Sequence, residues 1–231
     1  MSDQQSGRPP QVDTSWAQRS TARFVRRFIH GLVLEPILEI YTHPTVVGRE
    51  NLAGLDEPVI FAANHSSHID TPILLRALPV RWRERTVVAA AADYFFRKKL
   101  IAWSVALIFG AVPIERQVRS RDAAESLIDL VQSDWNILVY PEGTRSRDGT
   151  MGPLRTGVAR LALEHEIPIV PIYVSGTHEA MPPGRWWPRH HKATVAFGPP
   201  LNPLAGEDHK ALTARLTDAL GKLRSSLTEG A

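Results

Sequence analysis

The sequence contains no cysteine in its 231 residues, which excludes disulfides and thiolate zinc sites. Long hydrophobic runs are also missing. The longest uncharged apolar stretch, residues 100–112, has 13 residues, whereas a membrane-spanning helix needs about 20. No crossing of a bilayer is expected. The polar start, with Pro9 and Pro10, has no apolar segment of the kind that marks a secretory signal. There is no internal repeat, and no linker long enough to divide domains. A G-x-S-x-G elbow is absent as well, because Ser175-Gly176 lacks the preceding glycine. That argues against a serine hydrolase.

Apolar residues make up 43% of the chain, enough for the core of one large α/β domain. The net charge is only +3, and its placement is more telling than its size. Residues 1–31 hold Arg8, Arg19, Arg23, Arg26 and Arg27 against Asp3 and Asp13. A second basic run has Arg76, Arg81, Arg83, Arg85, Arg97, Lys98 and Lys99 against Glu84 and Asp93. Basic patches attract nucleic acid or anionic lipid. These lie beside Phe and Leu faces, and no nucleic-acid motif is present. An anionic membrane surface is therefore the expected partner, and nucleic acid is not.

Residues 1–14 read as a disordered leader and residues 15–43 as amphipathic helices interrupted at Pro36. At about 100° per residue, Arg19, Arg23, Arg26, Arg27 and His30 share one face, and Phe24, Val25, Phe28, Ile29 and Leu32 the other. This division suits a helix lying in a lipid interface. It also suits a packed helix with a solvated basic side. Residues 44–231 then alternate β-rich and helical runs. Strands are predicted at 45–47, 59–63, 86–91, 111–114, 137–140, 169–174 and 194–197. Helices are predicted near 70–78, 94–107, 121–133, 155–166 and 208–226. The last carries a stripe of Leu212, Leu216, Leu220, Leu223 and Leu227. The alternation predicts an α/β fold: a mostly parallel sheet of about seven strands flanked by helices.

Three polar clusters follow apolar strands, where α/β folds place their sites. The first is Asn64-His65-Ser66-Ser67-His68-Ile69-Asp70. Histidine is suited to take a proton at neutral pH. A carboxylate five residues along a strand-to-helix turn can bend back onto its ring N–H, fixing the tautomer and stabilising the imidazolium. Such a pair could deprotonate an alcohol. Ser67 and Asp70 also match a capping box, which allows Asp70 a helix-capping role. Asn64 and His68 read as local hydrogen-bonding residues. The second cluster is residues 110–116 and the third residues 140–146. Arg116 and Arg145 each end an apolar strand beside a turn, and guanidinium matches phosphate oxygens. Gly143 permits close backbone approach, and Glu115 and Glu142 are available to orient the guanidinium groups.

Together these clusters resemble the glycerolipid acyltransferases typified by 1-acylglycerol-3-phosphate acyltransferase. The H-x-x-x-x-D signature is matched by His65 to Asp70, a glycine-to-arginine block by GAVPIER, E-G-T-R by Glu142 to Arg145, and a proline-centred strand by residues 169–174. The four blocks follow the family's order over residues 59–176. The resemblance implies that His65 is the general base and Asp70 orients it. Arg116 with Glu142, Gly143, Thr144 and Arg145 would bind the acceptor's phosphate. The donor would be acyl-CoA or acyl-carrier protein and the acceptor a lysophospholipid, above all 1-acyl-sn-glycerol 3-phosphate, giving phosphatidic acid. A peripheral place on the cytoplasmic membrane face is implied, with no metal and no organic cofactor. Two departures stand out. Ile114-Glu115-Arg116 replaces the commoner I-D-R, and the usual phosphate-side lysine is missing from the segment around Ala92 and Asp93. The second departure leaves open another lysolipid or glycolipid acceptor.

Two further readings are distinguishable. A metal-dependent hydrolase would use His65, His68 and Asp70 as ligands, with His190 or His191 added, although the spacing matches no zinc motif. A lipid-binding protein without catalysis would have no need of His65 and Asp70 together.

Overall fold

Seven short strands rich in β-branched residues and alanine build one sheet: β1 (Thr45–Val47), β2 (Ile60–Ala63), β3 (Thr86–Ala91), β4 (Ala111–Ile114), β5 (Asn136–Val139), β6 (Ile169–Ser175) and β7 (Thr194–Phe197). The structure, a computed structural model, describes residues 12–91, 99–114 and 121–229. The strand order is β1-β7-β6-β2-β5-β3-β4. Every pair is parallel except β6 with β7, so β1 and β7 run against the other five. All seven strands fall where the sequence pattern predicts them, within a residue or so at either end.

The central strands are buried on both sides, as their unbroken apolar runs require. Phe61 and Ala63 of β2 point into one layer with α3 (Asp70–Ala77), Trp82 of α4 (Val80–Glu84) and Ala102 of α5 (Lys99–Phe109). Ile60 and Ala62 point into the other. That layer holds α6 (Arg121–Gln132), α7 (Gly157–Glu164) and α9 (His209–Glu229). The predicted leucine stripe places Leu212, Leu216 and Leu220 in this second layer. The pattern does not reveal α4 or the single-turn α8 (Thr177–Ala180), because each is too short to complete a repeat. The first part of the helix predicted at 94–107 lies outside the described residues.

The N-terminal region corrects one reading. A 3₁₀ turn (Ser15–Gln18) leads into α1 (Ser20–Ile29), a wide π turn (His30–Leu34) and α2 (Glu35–Thr42). The chain is not interrupted at Pro36, which sits in the first turn of α2. A proline has no N–H and crowds the carbonyl four residues before it, and the widened turn ahead of it absorbs that misfit. The two faces are those that the spacing separates, but two members of the basic face turn inward while Arg19 and Arg27 stay exposed. Arg26 is buried. Its Nε donates to Leu107 O at 2.7 Å and its Nη2 to Ala17 O at 2.8 Å and Ala106 O at 3.0 Å. His30 is buried beside it, with Nε2 donating to Ile108 O at 2.7 Å. Three of these four carbonyls, Ala106, Leu107 and Ile108, lie in the last turn of α5, where cations are favoured. Gly110 leaves the helix at φ 65°, and a Cβ there would stand 3.1 Å from the Arg26 guanidinium.

Burial pulls the Arg26 pKa down to about 10, so it is still charged at neutral pH. Within the expected solvated basic side, Arg26 and His30 thus form an anchor. Phe24, Val25, Phe28, Leu32 and Val33 face outward instead, Leu32 being 73% exposed. Leu100, Ile101 and Trp103 of α5 are exposed as well. Val12 and Thr14, at the end of the predicted leader, are buried.

Candidate active site

β2 ends at Ala63, and residues 64–69 form a loop that returns into α3. Asn64 secures its start: its Nδ2 donates to Val174 O at 2.9 Å and its Oδ1 accepts from Val174 N at 2.7 Å, tying the loop to β6. His65 Nδ1 then lies 2.8 Å from Asp70 Oδ2. The same carboxylate oxygen accepts the backbone N–H groups of Ser66 at 2.7 Å and Ser67 at 2.8 Å. Asp70 is completely buried, and three donors converge on one of its oxygens. An acceptor-only carboxylate at that position dictates a donating Nδ1–H. Nε2 is left as the basic nitrogen of an imidazole whose side chain is 17% exposed.

Half of the predicted capping box is formed. Asp70 receives the Ser67 N–H, but it is the first helical residue and no side chain caps α3. Ser67 Oγ instead donates to Met181 O at 2.6 Å.

The Glu142–Arg145 loop follows β5, which lies beside β2 in the sheet. Neighbouring strands in space bring two clusters together that are far apart in sequence. His65 is held on both sides of its backbone: its N–H donates to Glu142 Oε1 at 2.8 Å, and its carbonyl accepts from Ser146 N at 2.8 Å. Glu142 Oε2 accepts from Gly152 N at 2.7 Å. Glu142 is expected among the phosphate-binding groups, and its position is that of a tie between loops. Both of its oxygens serve backbone donors, and its work is to clamp three loop segments together. Burial raises its pKa despite those bonds.

Gly143 has φ 75°, and a Cβ there would come within 2.8 Å of Arg155 Nε. The close approach that glycine permits is therefore to Arg155. Thr144 is exposed. With Ser146, Arg147, Thr150 and Arg155 it lines a cavity of about 460 Å³ beside the clamp.

Arg145 is close enough for its charge to act on His68. Desolvation first, then Arg145 and His65, push the His68 pKa down to about 4, so His68 is neutral at physiological pH. Arg116 and Glu115 lie outside the described residues. Among the described residues no group of His, Asp or Glu is placed to hold a metal ion, and His65, His68 and Asp70 form no such cluster.

One contributor is not evident from the sequence. Tyr140, the residue before the clamp, stacks on the His65 imidazole with centroids 3.9 Å apart and planes 14° from parallel. Its hydroxyl lies 2.8 Å from Thr71 Oγ1. A stacked ring restricts the imidazole to one plane and offers its face to a developing cation. The available signal was only an aromatic residue at a strand end, and it becomes informative once β5 is known to adjoin β2.

Comparisons with known proteins agree with this geometry. A family model described as Acyltransferase matches residues 43–175. A chloroplastic 1-acyl-sn-glycerol-3-phosphate acyltransferase of Brassica napus is 32% identical over 174 residues, which is 70% of this chain and 46% of that protein. A 1-acyl-sn-glycerol-3-phosphate acyltransferase of Chlamydomonas reinhardtii is 31% identical over 176 residues, 75% of this chain and 46% of that one. The chain thus spans about half the length of these curated relatives. The fold matches the crystal structure of the 1-acyl-sn-glycerophosphate acyltransferase PlsC from Thermotoga maritima, with a TM-score of 0.71 and 22% identity over 94% of this chain and 83% of that one. A family model covering more than half of the residues, and both motif loops within it, places this chain in the acyltransferase family.

Proposed function

We propose that the protein transfers a fatty acyl group from acyl-CoA or acyl-carrier protein to the free hydroxyl of 1-acyl-sn-glycerol 3-phosphate, giving phosphatidic acid. The observation that carries this reading is the 2.8 Å contact of His65 Nδ1 with a fully buried Asp70, beside a loop rich in arginine. The acceptor's phosphate meets Arg145 and Arg147, with Arg116 completing the set, and its hydroxyl lies against His65 Nε2. Nε2 removes the hydroxyl proton as the oxygen attacks the thioester carbonyl. The tetrahedral intermediate then collapses, the C–S bond breaks, and the thiolate takes the proton back from the imidazolium. Asp70 stabilises that imidazolium without itself becoming protonated.

The same proposal places the enzyme peripherally on the cytoplasmic face of a membrane, with the outward apolar side chains of α1 and α5 in the lipid. No helix among the described residues is long and apolar enough to cross one. Surface docking by an apolar face is the alternative that such a chain has.

The test is an acceptor panel with labelled acyl-CoA and acyl-carrier protein: lysophosphatidic acid, glycerol 3-phosphate and uncharged lysolipids. Lysophosphatidic acid should be strongly preferred, and Arg145→Ala should raise its KM roughly tenfold or more, the scale of one charge-assisted hydrogen bond. Equal rates with uncharged lysolipids would refute the phosphate assignment.

A further inference from the structure

We propose that the loop of residues 181–193, between α8 and β7, is a second lipid contact that seats Trp186 in an anionic phospholipid surface. This inference rests on the membrane-docking part of the function proposed above. The tip of the loop exposes Trp186 by 85% and Trp187 by 42%. Their rings are neighbours, with centroids 5.9 Å apart. An indole kept in water forgoes a large apolar contribution, and paired exposed tryptophans mark interaction surfaces. Indole combines an apolar body with a polar N–H, which suits the depth of lipid headgroups.

The exposure is built and fixed. The base of the loop is pinned to the end of α2: His191 N donates to Tyr41 O at 2.9 Å, Ala193 N to Thr42 O at 2.8 Å, and His190 Nδ1 to Ile40 O at 3.0 Å. Tyr41 packs edge-on against Trp187 and stacks on His190. Near the tip, Arg185 Nε donates to Trp187 O at 2.8 Å.

Three observations favour a bilayer. Residues 181–193 include Arg185, Arg189 and Lys192 and no acidic residue, which complements an anionic leaflet. The loop is continuous with the N-terminal helices through Tyr41 and the exposed Ile40. It also leaves the sheet at the catalytic end, since β7 begins at Thr194 opposite Ser175, the last residue of β6. A surface that bound both α1 and this loop would flank the end of the sheet where His65 lies.

The experiment is co-sedimentation of the full chain with phosphatidylcholine vesicles made with and without phosphatidylglycerol, repeated with brominated lipids that quench nearby tryptophan. Trp186→Ala should lower partitioning about fivefold or more, as loss of an interfacial side chain does, and should remove part of the quenching. Arg185→Ser with Lys192→Ser should weaken the dependence on phosphatidylglycerol. Turnover of a monomeric short-chain acceptor should be unchanged in each variant. If wild type binds vesicles while Trp186→Ala binds and is quenched equally, the loop assignment is overturned and the docking of α1 stands. If wild type and a Phe28→Ser variant alike fail to bind, membrane docking fails and this inference with it. A loss confined to the acyl-carrier-protein donor, with partitioning intact, would assign the loop to a protein partner and overturn the proposal.

Discussion

The loops around His65 and the outer side of α1 break the usual rule of burial in opposite ways. Around His65, polar groups are interior and held by short bonds: Asp70 Oδ2 accepts from three donors, the two Glu142 oxygens from one each, and Asn64 bonds both backbone groups of Val174. Around Phe24 and Leu32, large apolar groups are exterior, while Arg26 and His30 are turned inward. Burying polar groups is tolerable only when they are paired, and a contiguous exposed apolar surface marks a place of contact. The contrast teaches that departures from ordinary burial locate function better than the apolar core does.

The comparison can be broken most severely at the imidazole. His65→Ala should lower turnover about 10²–10⁴-fold, the scale of a positioned base, with the chain still folded by circular dichroism. Turnover like wild type would remove His65 from the chemistry. Arg26→Met comes next. It strips a cation from three backbone carbonyls and should cost about 2–3 kcal/mol in chemical denaturation. Phe28→Ser on the outward side should stay within about 0.5 kcal/mol, as surface changes do. Equal costs for the two would show that Arg26 does not anchor the helix.

Tyr140→Leu should lower kcat about three- to tenfold, an aromatic contact being worth about 0.5–1.5 kcal/mol. KM should hold, and Tyr140→Phe should recover the loss. Failure of Phe to recover it would shift the role to the hydroxyl on Thr71. The smallest effect concerns pH. The His68 pKa is lowered from 6.5 to about 4, so the folded state favours its neutral form. That contribution is complete above pH 6.5 and is lost as the pH falls towards 4. Burial lowers the pKa of His30 in the same direction. Melting temperatures should therefore fall between these limits, and less steeply in His68→Gln.

Much of the fold is legible in the sequence because each strand is a compact apolar run between turn residues. In β2, alternation along the strand puts Phe61 and Ile60 in opposite layers. The pairing of His65 with Asp70 follows from a five-residue return between strand and helix. What could not be read depends on relations between distant segments. Spacing separates Arg26 from Phe28, but it does not say which one faces the protein, since that is decided by carbonyls at the end of α5. Tyr140 meets His65 only because β5 inserts between β2 and β3, out of chain order. Glu142 reads as an arginine partner because charge suggests charge, and its bonds to the backbone N–H groups of His65 and Gly152 depend on loops distant in sequence.

The double attachment of His65 to the segment 142–146 has a consequence for substrate choice. Basic nitrogen and arginine loop cannot drift apart independently, because the His65 N–H is bonded to the Glu142 carboxylate and the His65 carbonyl to the Ser146 N–H. They form a caliper of fixed gap. Under the proposed function, an acceptor whose anion engages the loop would be measured by how far its free hydroxyl reaches, and a backbone one carbon longer or shorter would present oxygen at the wrong distance even if its head group bound equally well.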